Sequence, residues 1–263
     1  MIGINSLGSY GRLGNQMFQY AAIKGIAANK NYDWAIPPKK SFTKYPNSNI
    51  HECFKLHSLK NYEFIDGDTV QESNFYFDEN LYNNCPDNTN LFGYFQTEKY
   101  FKAIKNKIIK DFEFLDIIQT ESINYLKKYS KITKVSIHIR RTDYLTYQDI
   151  HCPPSIEYYK TAMNFFENCL FFVFSDDTEW CKLQNIFDRK DVIIPEVNDT
   201  YIDLCLMSMC DHNIIANSSY SWWASYLNKN LNKKIIAPSR WFGEHSGINS
   251  KDLYNKDWII IES

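Results

Sequence analysis

Short apolar runs set the rhythm of the second half of the chain. Residues 135–139 (VSIHI) are dominated by β-branched apolar positions, and residues 170–174, 191–194, 213–216 and 234–237 form similar short, mainly apolar runs. Each run is too short for a buried helix and is bounded by polar residues, so each reads as a strand. Between them lie stretches of helical spacing at 157–168, 178–187, 201–210 and 222–228, with Tyr158, Tyr159, Ala162, Phe165 and Phe166 inward in the first. Continuous apolar strands alternating with helices predict a parallel sheet covered on both faces.

The first half is less regular. Residues 1–5 read as a strand, and Gly8, Gly11 and Gly14 then punctuate the approach to a helix starting near Asn15, with Met17, Tyr20, Ala21 and Ile23 or Lys24 at helical spacing. Residues 30–90 are polar and aromatic, broken by Pro37, Pro38, Pro46 and the Asn/Asp-rich stretch 83–90. A strand is expected over 91–96, a helix from Glu98 towards Phe112, and another over 117–129 with Ile118, Ile123 and Leu126 inward. Lys127 and Lys128 suit the negative end of that last helix. The change of texture near Ser130 and Lys131 predicts two domains, 1–130 and 131–263.

Composition narrows the picture. The chain has 263 residues, enough for two compact cores, and a net charge of −2. That balance gives no global field for nucleic acid or an anionic membrane, so any anion must be held by a local cluster. The seven cysteines form no C-x-x-C pair or regular framework. They read as reduced thiols rather than disulfides or a zinc site. No signal peptide and no membrane-length apolar run is seen, which leads us to expect a cytoplasmic protein.

Candidate chemistry gathers where predicted strands end. His138, Arg140, Arg141 and Asp143 close the first strand of the second half; Ser175, Asp176 and Asp177 close the next; Asn217, Ser218, Ser219, Tyr220 and Ser221 close a third. A parallel domain brings such ends to one rim, where ligands bind. Guanidinium groups, hydroxyls ahead of a helix and carboxylates together suit a sugar nucleotide. Each piece also has a plainer reading. One arginine can be an ion-pair partner of Asp143 or Asp176. Asp176 and Asp177 can bind a divalent metal or cap a helix, and we favour the cap. Asp203 is ordinary chemistry for a first helical turn, and His138 for a core strand. In the first half, the glycine spacing over 8–16 is neither G-x-G-x-x-G nor a Walker A pattern, so an anion cradle and a tight turn both stand.

Five stretches carry a resemblance that spacing alone does not. Residues 11–21 (GRLGNQMFQYA), 93–101 (GYFQTEKYF), 138–144 (HIRRTDY), 174–177 (FSDD) with Trp180, and 203–223 from Asp203 to Trp223 occur in the order seen in bacterial α-1,2-fucosyltransferases of glycosyltransferase family 11. The His-x-Arg-Arg-x-Asp stretch is also similar to that of α-1,6-fucosyltransferases and, more loosely, of protein O-fucosyltransferases. The resemblance implies an α/β, GT-B-like fold, two Rossmann-like domains facing a cleft, with the acceptor on the first and GDP-fucose on the second. It implies inverting, metal-independent transfer of L-fucose to the 2-hydroxyl of a terminal galactose on an O-antigen or other surface glycan, with no cofactor. Transfer of another deoxysugar or to another linkage is the nearer alternative, and a non-catalytic nucleotide-sugar binder the further one. A lipid-linked acceptor would bring the protein to the inner membrane as a peripheral partner.

Residue by residue, the resemblance casts Arg140 as the β-phosphate arginine, His138 as a guanosine-side contact and Asp203 as the guanine-reading carboxylate. Ser218, Ser219 and Tyr220 look like phosphate contacts, and Asn217, Arg141 and Asp176 are further substrate-binding candidates, Arg141 as a support from the other face of the strand. Arg12, Gly14, Asn15 and Gln16 form the loop facing the donor. Asp143 is the first candidate for general base, with Asp149 and His151 as the others. The loop 146–154 departs from the usual family form at Cys152, Pro153 and Pro154, which bears on acceptor choice.

Overall fold

The computed structural model describes residues 1–263, which divide into two compact units. The first comprises residues 1–115 and 248–255; the second comprises 116–247 and 256–263. The expected boundary at 130 is too late. The helix Asp116–Leu126 packs on the helix Thr200–Met209 and so belongs to the second unit.

The first unit is built on β1 (Ile2–Gly3), β2 (Trp34–Ala35), β3 (Asp68–Gln71) and β4 (Thr89–Phe92). All pair in parallel, in the order β2-β1-β4-β3. Their carboxyl ends therefore share one edge. The helix Leu13–Lys30 is buried along most of its length and ends at Asn31, whose left-handed backbone (φ 55°) returns its N–H to the Ala27 carbonyl. A buried polar knot holds this helix: Lys24 Nζ lies 2.5 Å from Asp111, which also takes the Tyr20 hydroxyl at 2.8 Å and the Ser58 N–H at 2.9 Å. Burial pulls the Lys24 ammonium down, and contact with ionised Asp111 opposes this.

The second unit carries β5 (Thr133–Ile139), β6 (Cys169–Ser175), β7 (Val192–Ile193), β8 (His212–Ile214), β9 (Ile235–Pro238) and β10 (Ile259–Ile261). These are also all parallel, in the order β10-β9-β8-β5-β6-β7. From β5 the chain runs outward through β6 and β7, then returns to β8 and runs the other way. That is a doubly wound sheet with its switch point between β5 and β8. Period-two alternation splits β5 cleanly. Val135, Ile137 and Ile139 join a core with Tyr158, Tyr159, Phe171 and Val173, while Ser136 and His138 face the opposite side.

Several elements differ from expectation. The helix expected over 98–112 is two 3₁₀ turns followed by Lys105–Asp111. The helix expected over 157–168 is Ile156–Met163, and Phe165 is 38% exposed instead of inward. Ile123 is 47% exposed, because Ile118 and Leu126 already fill that helix's buried side. The helix expected from Trp222 starts earlier, as Ser219–Leu227. No helix is long and apolar enough to cross a membrane.

Candidate functional site

The switch point of the second unit is where the predicted cluster assembles. Strand β5 ends at Ile139, and Arg140 and Arg141 leave it in different directions. Arg140 Nη2 lies 2.5 Å from Asp143 Oδ1 and Nη1 lies 3.1 Å from Asp176 Oδ2. Arg141 turns instead to Asp177, with Nε 3.1 Å from Oδ2, and its guanidinium stacks 3.7 Å above the Trp180 ring. The two arginines thus have separate surroundings.

The aspartates brace the turn. Asp176 accepts from the Arg141 and Thr142 backbone N–H groups (2.9 and 3.2 Å) and from the Thr142 hydroxyl (2.5 Å). Burial works against its charge, but Arg140 and these donors win and hold its carboxyl below the usual range. Asp177 caps the helix Thr178–Lys182 by accepting from Trp180 N–H. The capping reading of this pair fits Asp177; Asp176 instead ties β6 to the turn after β5. Two guanidinium charges face three carboxylates here. Asp143, on the short helix Thr142–Thr146, is the most exposed of the three at 35%, against 18% for Asp176 and 30% for Asp177.

His138 is 5% exposed. Burial drives its pKa down to about 3, Asp176 opposes this and Arg140 adds to it, so the ring is neutral at physiological pH. Its Nδ1 is buried with no hydrogen-bond partner, and its ring lies 5.4 Å from that of Tyr220. Asn217, at the end of β8, is fully buried and donates to the Cys152 and Trp241 carbonyls at 3.0 and 2.9 Å. It fastens loops around the rim. Ser218 is the N-cap of the Ser219–Leu227 helix and makes no side-chain cap bond. The Tyr220 hydroxyl is engaged by the Thr200 carbonyl, so what Tyr220 turns towards the site is its ring.

Asp203 stands on the first turn of the Thr200–Met209 helix. Burial, with the nearby charge of Asp199, raises its carboxyl to about 7. Asp199 spends its own oxygen capping the helix, at 2.7 and 3.0 Å from the Tyr201 and Ile202 N–H groups.

Tyr144 is a site residue that pattern reading passed over. Its ring lies 5.6 Å from the Arg140 guanidinium, its hydroxyl donates to the Asn217 carbonyl at 3.0 Å, and His151 stacks on it at 4.1 Å, nearly parallel. It therefore bridges the ends of β5 and β8. Its place one residue after Asp143 was the available signal. His151 is held below its ordinary value by burial, with Asp143 opposing. Asp149 lies exposed on the same loop, its backbone carbonyl close against Gly243.

The amino-terminal loop belongs to the first unit. Arg12 is exposed, ahead of the helix Leu13–Lys30. Gly14 is buried inside the first turn of that helix. Asn15 accepts from Gln96 Nε2 at 2.8 Å. Gln16 is wholly buried, donating to the Ser48 carbonyl at 2.7 Å and accepting from Ile50 N–H at 3.3 Å. Gln16 therefore holds neighbouring backbone, and Arg12 is the member of this group left at the surface.

Residues 1–262 match the family model described as Glycosyl transferase family 11. An α-1,2-colitosyltransferase of Escherichia coli is 34% identical, over 96% of this chain and 97% of its own length. The O-antigen biosynthesis glycosyltransferase WbnK of Escherichia coli is 32% identical, over 78% of this chain and 67% of its own. Among solved structures, NodZ α-1,6-fucosyltransferase soaked with GDP-fucose superposes with a TM-score of 0.53 at 13% identity, covering 86% of this chain and 89% of its own. With the strand orders of the two units, that likeness makes the fold α/β and GT-B-like, from two Rossmann-like units.

Proposed function

The chain belongs to glycosyl transferase family 11, and we propose that it transfers L-fucose from GDP-fucose to the 2-hydroxyl of a terminal galactose on a surface glycan. The observation that carries the reading is Arg140, a guanidinium at the switch point of a doubly wound sheet. The second unit then takes the donor and the first the acceptor. The acceptor hydroxyl attacks the anomeric carbon opposite GDP, with inversion. As the bond to GDP breaks, negative charge grows on the β-phosphate, and Arg140 stabilises it most in the transition state. No metal is needed for this division of labour, and no cofactor.

The charge balance suggests how the site receives its donor. A diphosphate entering a cluster of two guanidinium groups and three carboxylates must displace one carboxylate. Asp143 is the most exposed and sits on a single short helical turn. In our reading the β-phosphate replaces Asp143 on Arg140 Nη2, and the freed Asp143 takes the proton of the acceptor hydroxyl. Brace and base are then successive roles of one side chain. Asp203 accepts from guanine N1–H and N2–H, and neutral His138 offers its unpartnered Nδ1 on the nucleoside side. Asn217 and Asp176 hold the rim, while Ser218 and Ser219 open the helix that meets phosphate.

The second reading concerns the donor. The colitosyltransferase is similar over almost the whole of both chains, so a GDP-linked 3,6-dideoxyhexose is the alternative sugar. WbnK, an O-antigen biosynthesis enzyme by name, supports a surface polysaccharide as acceptor; we take that acceptor to be lipid-linked at the cytoplasmic face of the membrane. The test incubates purified protein with EDTA, a galactoside panel and either GDP-fucose or GDP-colitose, and reads products by mass and linkage. An α-1,2-fucosylated galactoside is expected. Colitose transfer alone would move the donor assignment, and absence of both transfer and GDP release would sink the enzyme reading. Need for added Mn²⁺ would overturn metal independence.

A further inference from the structure

In the first unit, β1 and β4 are neighbours in the sheet but the first and last of its strands in the chain. Beyond their carboxyl ends, three loops bring aromatic rings together. Tyr10 follows β1, Phe75 follows β3, Phe92 closes β4 and Tyr94 lies just past it. Tyr10 stacks on Tyr94 with centroids 4.5 Å apart and planes 17° apart, and it touches Phe92 at 4.8 Å. Phe75 meets Tyr94 at 5.6 Å. All four rings are half-buried, whereas the core rings Phe95 and Tyr100 beside them are fully buried.

The cluster is fastened from beneath. Gln19, fully buried, donates to both the Tyr10 carbonyl (3.1 Å) and the Gly93 carbonyl (2.9 Å), locking the β1 and β4 loops to one amide. Glu72 accepts from the Tyr94 and Phe95 N–H groups at 3.0 and 2.8 Å. Those bonds hold Phe95 at φ 54°, a left-handed backbone uncommon for an aromatic residue and the kind of strain that gathers at ligand sites. A Cβ at Gly93 would lie 2.6 Å from Glu72 Cβ, so the turn admits only glycine there. Two residues past Tyr94, Gln96 is 7% exposed, and its Oε1 is buried with no hydrogen-bond partner while its Nε2 is held by Asn15. An unmet carbonyl oxygen two residues along the chain from Tyr94 fits a ligand that brings both C–H faces and hydroxyls.

We propose that Tyr10, Phe75, Phe92 and Tyr94 form a stacking platform for a pyranose ring of the acceptor glycan, with Gln96 Oε1 accepting from one of its hydroxyls. A β-galactoside suits it, since its C3, C4 and C5 hydrogens make one apolar face that can lie on an aromatic ring while the hydroxyls point to the rim. The proposal rests on the transferase reading for its choice of sugar.

Sugar binding can be read without transfer, so the two readings fail separately. Saturation-transfer NMR titration with methyl β-D-galactopyranoside and lactose should give ring-proton signals strongest at H3, H4 and H5 on the wild-type protein. Tyr94→Ala should weaken binding about tenfold, and Tyr94→Phe, which keeps the stacking face, should stay within about twofold of wild type. Circular dichroism melting of each variant reports folding. Should Tyr94→Ala melt too low to assay, Tyr10→Ala and Phe75→Ala carry the same expectation. Equal binding by wild type and the folded alanine variants overturns the platform, as does failure of the wild type to bind either galactoside. Platform binding without transfer from either GDP-sugar would leave the platform standing and remove the enzymatic reading.

Discussion

Asp203 pays for its place in the folded protein. Its carboxyl is raised to about 7 by burial, whereas an unfolded chain holds an aspartate near 4. The folded state therefore binds the proton more tightly. The stability this provides is complete below about pH 4 and is lost as pH rises through about 7. Asp203→Asn should raise the thermal midpoint at pH 8, where the buried carboxylate is charged, and leave it almost unchanged at pH 4. If Asp203 reads guanine N–H groups, GDP affinity should fall as pH drops below about 7, because a protonated carboxyl offers a weaker acceptor. Calorimetric titration of GDP between pH 5.5 and 8.5 checks this, and Asp203→Asn should flatten the profile. A flat profile in the wild type would remove Asp203 from the base pocket. At the β5 turn, Arg140→Lys should cut transfer on the order of 10²–10³-fold with the fold retained, since an ammonium cannot replace a planar fork held between Asp143 and Asp176. Asp143→Asn should keep GDP binding and lose transfer. If steady-state kinetics show near-native turnover in that variant, the proton acceptor is elsewhere, and His151 is the next group to test.

Among the elements, the helix Leu13–Lys30 shows why propensity is a poor guide to one of its residues. In an open helix Gly→Ala stabilises by about 1 kcal/mol. At Gly25 a Cβ would lie 1.9 Å from the Tyr100 carbonyl oxygen and 2.9 Å from Phe101 Cα, both backbone. Gly25→Ala should therefore destabilise by about 2–3 kcal/mol, measured by urea unfolding, because two pieces of main chain must separate. Such contacts are invisible in a sequence, and so were several strands. β5 and β6 were legible because their buried faces leave little but apolar and β-branched residues. β2 has only two residues, and β3, Asp68–Gln71, is polar and largely exposed at the sheet edge. Neither carries a pattern long enough to read. Helices were overdrawn where aromatics continued past their ends, as at Phe165. The site divided the same way. Adjacent residues such as Arg140, Arg141 and Asp143 were legible as a cluster. The burial of Gln16, the bridging by Tyr144 and the meeting of Tyr10 with Tyr94 depend on chain segments distant in sequence.

For the molecule as a whole, residues 248–263 serve both units. Asp252 accepts from Phe77 N–H at 3.1 Å and pairs with Lys99 at 2.7 Å, Leu253 is buried, and Lys251 lies 3.8 Å above the Tyr76 ring, all within the first unit. A few residues later, Ile259–Ile261 completes the second unit's sheet against β9. Cutting the chain after Gly247 should lower the unfolding midpoints of both units, by about 5 °C or more in differential scanning calorimetry. A shift in only one transition would assign the segment to that unit alone. The same weaving bears on synthesis. An α/β unit made of one continuous stretch can finish folding while the ribosome is still at work downstream. Here the amino-terminal unit waits for a piece that emerges only after nearly all of its neighbour has been translated. Until then the backbone around Phe77 and the side chain of Lys99 lack their partner, so a nascent chain stalled anywhere before residue 252 presents an incomplete first unit to proteases and chaperones.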